Sequence, residues 1–431
     1  MVLTGRAALV AALGAVGVLF TPWPGWAVLA VAVLVAVPVL VDLLFAGSTR
    51  PLTLRRGGPG LVRLGESVDL ELLVQNGGRR RVRGVLRDAW PPSAQVQPRH
   101  RRVDIAPRGQ QRLVFTLSPA RRGERHPAAV TVRSLGPFGV AGRQGSHQLP
   151  WSLRVVPPFL SRRHLPAKLA RLRDLEGRTP SLVRGQGTEF DSLREYVIGD
   201  DVRSIDWRAT ARRRDVVVRT WRPERDRRVL IVLDSGRTSA GRVGMWPRID
   251  WSMDAALLLA ALAAHAGDRV DVMVFDRVVR AWSAGVPSTQ LLSSMVNLLA
   301  PVEAELVETD FAGMASAVLT RARRRCLVVL LTDLNPTTME EGLLPVLPRL
   351  ATTHQVLVAA VSDTRVAVMA EGRGTAPKVY DAAAAEHHRE QRLRITALLR
   401  RHGVEVVDAV PDDLAPAVAD AYLQLKAEGR L

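Results

Sequence analysis

Residues 7–41 carry no charged side chain, a stretch of 35 residues near the start of the chain. Nothing else in the sequence constrains the fold as much. A run of that length has no polar face to offer water, so its surroundings must be a large core or lipid. It is broken once, at Thr21-Pro22-Trp23-Pro24-Gly25-Trp26. Two prolines and a glycine make a turn, and the two tryptophans suit a membrane–water interface. Each flank predicts a helix: residues 3–20 with Arg6 near the start, and residues 27–45 with Asp42 near the end. At ~1.5 Å per residue, spans of this length approach the ~30 Å of a hydrocarbon core. The reading is a transmembrane helical hairpin over residues 1–48, with both ends on one side. A cleaved signal peptide followed by a single anchor is the alternative, but no clear small-x-small cleavage site precedes the turn.

Arginines set the orientation. Arg50, Arg55, Arg56 and Arg63 lie within about 20 residues of the second span, which places the rest of the chain in the cytoplasm of a multi-pass cell-membrane protein. A single cysteine, Cys326, agrees with a reducing compartment and excludes an internal disulfide framework. The net charge of +18 is carried almost wholly by arginine, since only Lys168, Lys378 and Lys426 are lysines. Residues 1–160 hold 21 arginines against 7 acids, whereas the last 203 residues are slightly acidic. The basic excess therefore sits beside the apolar run, where an anionic leaflet is its natural partner. Aromatic residues make up only 5% of the chain, too few for the stacking platforms of a nucleic-acid binder, so no nucleic-acid partner is expected.

Residues 49–158 read as short alternating strands separated by turn chemistry at Asn76-Gly77-Gly78, Pro91-Pro92 and Gly136-Pro137-Phe138-Gly139. The strands are expected at 67–74, 81–86, 111–117, 129–132 and 153–156, in a small β-sandwich-like domain. After Pro157-Pro158 the pattern changes. A segment over residues 159–228 is dense in charge. Residues 229–431 then alternate continuous apolar strands (229–234, 269–275, 326–333, 355–361 and 404–407) with helical stretches near 250–266, 288–300, 311–324, 381–402 and 411–427. Buried strands alternating with helices predict an α/β doubly wound parallel sheet.

In such sheets ligands bind beyond the carboxyl ends of the strands, where the strand order reverses. Two strands end there in aspartate, Asp234 and Asp333. With the hydroxyls of Thr238 and Thr309 they make an oxygen-only set suited to Mg²⁺ or another divalent cation; the same residues would serve equally as helix caps that order the rim. These residues resemble the von Willebrand factor A fold, whose metal-ion-dependent adhesion site uses Asp-x-Ser-x-Ser, a loop Thr and a later Asp. Asp234, Thr238, Thr309 and Asp333 match four of those positions. Gly236 stands where a hydroxyl belongs and Arg237 adds a cation beside it, so the resemblance implies a degenerate site.

Upstream, Gly187-Thr188-Glu189-Phe190 leads through Leu193-Arg194-Glu195-Tyr196 to Gly199-Asp200-Asp201-Val202-Arg203-Ser204-Ile205-Asp206-Trp207. This long signature resembles that of the DUF58 family, membrane-anchored bacterial proteins with a von Willebrand A-like domain. The resemblance implies unknown biochemical activity and frequent genetic association with MoxR-type AAA+ ATPases. Physically, the segment alternates carboxylates with guanidiniums. That arrangement serves as a docking surface through Asp200, Asp201, Arg203, Asp206 and Trp207, or as an acid pair for hydrolysis. A third reading is an ion-pair network that pins the segment to the following domain, with Trp207 and Tyr196 packed beneath; it is the favoured one, because no nucleophile or histidine accompanies the acids.

Other enzyme signals are thin. Gly185-x-Gly187 lacks the context of a phosphate loop, and His387-His388 lies in a charged helix read as a solvated face. The expectation is a non-enzymatic, membrane-anchored, cytoplasm-facing protein-binding module, an adaptor or partner of a MoxR-type AAA+ ATPase. It would bind through the rim of Asp234, Arg237, Thr238, Thr309 and Asp333. Alanine at Asp333 is then expected to weaken partner capture without unfolding the protein. The alternative is a metal-dependent hydrolase using Asp200, Asp201 or Asp206.

Overall fold

The structure is a computed structural model that describes residues 1–178, 189–197, 200, 202–212, 215–222 and 227–431. It divides into two compact units, Met1–Val156 and Pro157–Leu431. The apolar start therefore belongs to the same unit as the β-region rather than standing apart from it.

In the first unit, helix α1 (Gly5–Val18) and helix α2 (Pro24–Phe45) flank the Pro/Trp turn. Only α2 is long and apolar enough to cross a bilayer among the described helices, with a mean hydropathy of 2.9. Its 22 residues span about 33 Å, whereas the 14 residues of α1 span about 21 Å. The helices touch at Gly14, where a Cβ would lie 2.5 Å from Val31 Cγ1, so a larger residue would push them apart. Most of their remaining apolar side chains, Leu9, Leu13, Leu34 and Leu40 among them, are exposed. Water would not stabilise such a surface.

The first helix is shorter than expected because Val2 and Leu3 are taken into an edge strand that pairs with Gly142 and Ala141. The second starts earlier than expected, at Pro24. Proline suits the first helical turn, where its missing N–H is not needed.

The β-region forms sheets of five, four and three strands. Val68–Asn76 shows why: Val68, Leu70, Leu72, Val74 and Asn76 all point inward, and the residues between them face outward or part-way. Strands Leu52–Gly57, Arg101–Ile105 and Ala141–His147 were not legible in advance, since arginine, glycine and polar residues break their alternation.

In the second unit six strands form one sheet: β1 (Arg228–Asp234), β2 (Arg269–Phe275), β3 (Val279–Ser283), β4 (Leu327–Leu331), β5 (Gln355–Val361) and β6 (Glu405–Ala409). Their order is β3-β2-β1-β4-β5-β6, with every pair parallel except the antiparallel edge of β3 on β2. The edge strand β3 is an addition to the expected set.

Apolar side chains are buried throughout β1. Leu230 and Val232 join a core with Phe311, Met314 and Val318 of helix α3 (Phe311–Arg321) and with Ile395 and Leu399 of helix α4 (Ala376–Arg401). The alternate residues Val229, Ile231 and Leu233 are equally buried, and the helices Arg248–His265 and Pro411–Ala427 pack against this sheet. A chain that builds β1, β2 and β3 to one side and then β4, β5 and β6 to the other reverses direction between β1 and β4. That reversal leaves a crevice at their carboxyl ends.

Candidate functional site

The crevice is built from the ends of β1 and β4. Leu233 is level with Leu331 in the parallel register, so Asp234 and the Thr332-Asp333 pair emerge side by side. Asp234 is almost completely buried and accepts three hydrogen bonds. Gly236 N donates to Oδ1 at 2.8 Å, Thr309 Oγ1 donates to the same oxygen at 2.6 Å, and Thr332 Oγ1 donates to Oδ2 at 2.6 Å. Burial pushes this carboxyl above the usual range; the three donors and, in the opposite sense, the neighbouring charge of Asp333 modify that effect.

Asp333 faces two arginines. Arg392 of α4 donates from Nη1 to Oδ1 at 2.8 Å, and Arg248 Nη1 lies 3.7 Å from Oδ2. Arg392 also forks onto Asp408 at the end of β6, with Nε and Nη2 donating at 3.0 and 2.7 Å. Burial works against its charge, but the two carboxylates outweigh it and hold the guanidinium above its ordinary value. Arg248 Nη1 also reaches the carbonyl of Thr238 at 3.4 Å.

Of the four expected rim residues, Asp234 and Thr309 are directly bonded. Asp333 stands beside them on the neighbouring strand, and Thr238 is joined to Asp333 through Arg248. Arg237 is exposed and pairs with Glu308, away from the carboxylates of the crevice.

These residues do not fit a resident divalent ion. A buried guanidinium already supplies positive charge to Asp333, and the acceptor oxygens of Asp234 are occupied by internal donors. Gly236 is no vacancy: a Cβ there would sit 2.1 Å from Thr309 Oγ1, so serine cannot enter without displacing the threonine. Among the described residues no group of three or more His, Cys, Asp or Glu side chains is placed to hold a metal. Arg248 and Arg392 are the residues that sequence reasoning missed. Arg392 carried a signal, because it shares a helical stripe with the buried Ala385, Ile395 and Leu399 in a helix otherwise read as solvated.

The charged segment upstream forms its own two-stranded antiparallel sheet, Glu189–Glu195 with Val217–Arg222, and a single helical turn, Trp207–Thr210. Asp206 caps that turn, accepting from Arg208 N and Ala209 N at 3.0 Å each, while Arg219 Nε donates to its other oxygen at 2.8 Å. The backbone N–H of Ala209 and the Arg219 guanidinium hold its carboxyl below the usual range. Asp200 accepts from Arg194 Nη2 at 2.5 Å and from Val197 N at 3.0 Å. These pairs run within the segment.

Trp207 departs from the packed position of the ion-pair reading: it is 66% exposed. With Arg203, Asp206, Arg208 and Arg219 it lines an open cleft of about 310 Å³. Asp201 and the 184–188 stretch lie outside the described residues.

Elsewhere, His265 Nδ1 lies 2.7 Å from the carbonyl of Ala261. Burial pushes the Cys326 thiol up to about 12, which leaves it an unreactive core residue.

Residues 192–399 match the family described as a protein of unknown function, DUF58. The match supports DUF58 membership. The matched region starts within the charged segment and takes in strands β1 to β5 and nearly all of α4, so Asp234, Arg248, Thr309, Asp333 and Arg392 all fall inside it. Two curated relatives, the uncharacterized proteins Rv1480 of Mycobacterium tuberculosis and Mb1516 of Mycobacterium bovis, are each 27% identical over 194 residues. The alignment covers 44% of this chain, and the chain spans 60% of the length of those relatives. Among solved structures, the conserved hypothetical protein BatB of Bacteroides thetaiotaomicron is 14% identical, covering 47% of this chain and 98% of its own, with a TM-score of 0.30. The CARDB domain of PF1109 from Pyrococcus furiosus is 19% identical, covering 25% of this chain and 92% of its own, with a TM-score of 0.17. Scores of this size carry no argument about fold or function.

Proposed function

We propose that this chain is a membrane-anchored protein-binding module. On this reading α1 and α2 form a helical hairpin in the bilayer, the β-region is sandwich-like, and the second unit is a doubly wound, von Willebrand A-like domain facing the cytoplasm. The partner is a MoxR-type AAA+ ATPase or a protein that such an ATPase handles. Trp207 carries the proposal. A tryptophan left largely in water beside Arg203, Arg208 and Arg219 joins the two residue types that most often dominate binding hot spots. The basic cleft suits an acidic partner surface that can also cover an indole ring.

The adhesion-site rim takes a smaller part than its residue types suggest. Asp234 and Asp333 are turned inward and order the crevice, leaving the exposed Arg237–Glu308 pair as the part of the rim a partner can reach. The hydrolase alternative needs a carboxyl free to hold a proton or an ion. Asp200 and Asp206 are both engaged by arginine, which favours binding over hydrolysis.

The test is affinity capture of the full-length protein from native membranes, in Mg²⁺ and in chelator, with Trp207→Ala and Arg208→Glu variants. The expected result is capture of an AAA+ ATPase or its client that survives chelation and is lost in both variants, with thermal stability unchanged. Equal capture by Trp207→Ala removes the reading.

A further inference from the structure

Beyond the crevice, one cluster of cations has no role in the reading above, and it lies at the foot of the apolar helix. Three residues past the end of α2, Ser48 shares an open cleft of about 300 Å³ with Arg79, Arg80 and Arg143. These arginines come from two separate places, the 77–81 turn and the strand Ala141–His147. They converge because the backbone is held there.

Asn76, fully buried, accepts from Gly78 N at 2.9 Å and donates through Nδ2 to the Arg80 carbonyl at 2.8 Å and the Ala106 carbonyl at 3.2 Å. That pins the turn carrying Arg79 and Arg80. Gly47 lets the end of α2 meet it: a Cβ at this position would lie 2.5 Å from the Arg81 carbonyl. On the other wall, Arg143 Nη2 donates to the carbonyl of Leu43 in the last turn of α2 at 3.0 Å. Arg80 lies over the Phe45 ring, 6.0 Å from its centroid.

The result is a cleft with three guanidiniums and a hydroxyl, whose neighbours on the α2 side are the exposed apolar residues Leu44 and Phe45. Guanidinium groups are matched to phosphate oxygens, and apolar neighbours are matched to acyl chain. A free cytosolic anion would use the first feature and gain nothing from the second.

The geometry points to a binding site for the headgroup phosphate of an anionic phospholipid, held by Arg79, Arg80 and Arg143 with Ser48 at the foot of α2. This rests on the membrane-anchored reading of the first unit. A zwitterionic lipid carries a compensating ammonium and gains less from three cations.

The experiment uses full-length protein in neutral detergent, with thermal unfolding followed on addition of dioleoylphosphatidylglycerol, dioleoylphosphatidylcholine or inorganic phosphate. Phosphatidylglycerol should raise Tm by about 3 °C or more, with no comparable rise from the other two. Arg79→Gln/Arg80→Gln should abolish the rise, and the charge-preserving Arg79→Lys/Arg80→Lys should keep most of it. An equal rise with phosphatidylcholine, or an unaltered rise in the glutamine variant, overturns the site. An equal rise with inorganic phosphate overturns the lipid as its source. Carbonate extraction separates this from the underlying reading. If the wild-type chain leaves the membrane, the anchor itself falls; if it stays but shows no preference for phosphatidylglycerol, only the headgroup site falls.

Discussion

Arg392 Nη1 donates to Asp333 Oδ1 at 2.8 Å, and both side chains are less than a tenth exposed. One cation on α4 thus closes the crevice between the two halves of the sheet. It also ties β6 to the crevice, because its remaining donors hold Asp408.

Removing that cation leaves Asp408 without its arginine and Asp333 with only Arg248, 3.7 Å away. Arg392→Met should destabilise the second unit by about 3–5 kcal/mol, measured by denaturant unfolding. Asp333→Ala should also destabilise it, by roughly 2–3 kcal/mol, since Asp408 remains to hold the arginine. Wild-type protein should melt at the same temperature in Mg²⁺ and in chelator; a rise in Tm specific to divalent ions would contradict the donor assignments at Asp333.

Gly236 is the second test of the crevice. Serine there restores the hydroxyl of the adhesion motif but meets Thr309 Oγ1. Gly236→Ser should destabilise by about 1–3 kcal/mol, and Gly236→Ser/Thr309→Ala should recover part of that loss. Additive losses in a double-mutant cycle would show that the two positions do not touch.

Asp42 anchors the apolar helix to the β-region. Fully buried, it accepts from Phe138 N, Val140 N and Ala141 N at 2.8, 2.6 and 2.9 Å. The turn can come this close because residue 136 is glycine: a Cβ there would lie 2.3 Å from Asp42 Cα. Asp42→Ala leaves three backbone donors, the Ala141 N–H buried among them, without their acceptor and should cost about 1–3 kcal/mol. Amide exchange at 138, 140 and 141 should accelerate together in that variant. Protection unchanged at all three would show that the carboxylate does not hold the turn.

Asp254 gives a pH dependence of defined sign. It accepts from Ser161 N at 3.2 Å and from Ser161 Oγ at 3.0 Å, and burial pushes its carboxyl up to about 6. The folded state then keeps a proton that the unfolded chain loses near pH 4, so this group's contribution to stability falls as pH rises from 4 to 6. Relative to Asp254→Asn, the wild type should lose about 2 kcal/mol between pH 4 and pH 7. A flat difference would place the carboxyl at its ordinary value.

Much of the architecture was legible because it rests on local pattern. Thirty-five uncharged residues marked the apolar helices. Continuous apolar strands ending in Asp234 and Asp333 marked a buried parallel sheet, and the shift after Pro157-Pro158 falls next to the division between the two units. Hydrophobic burial reads composition and period, and both are written along the chain. The edge strands were not legible: Val2–Leu3 and Val279–Ser283 are strands because a neighbour's unpaired edge recruits them.

The chemistry of the crevice was decided in three dimensions. Asp234, Thr309 and Asp333 could be picked out by type, but a carboxylate looks the same in sequence whether it awaits an ion or already holds an arginine. Arg392 lies 59 residues beyond Asp333, in a helix whose composition suggests a solvated surface. Charge pairing depends on distance through space rather than along the chain. Only the packing of α4 on the sheet could bring that guanidinium to the carboxylate and turn an apparent metal site into an internally neutralised one.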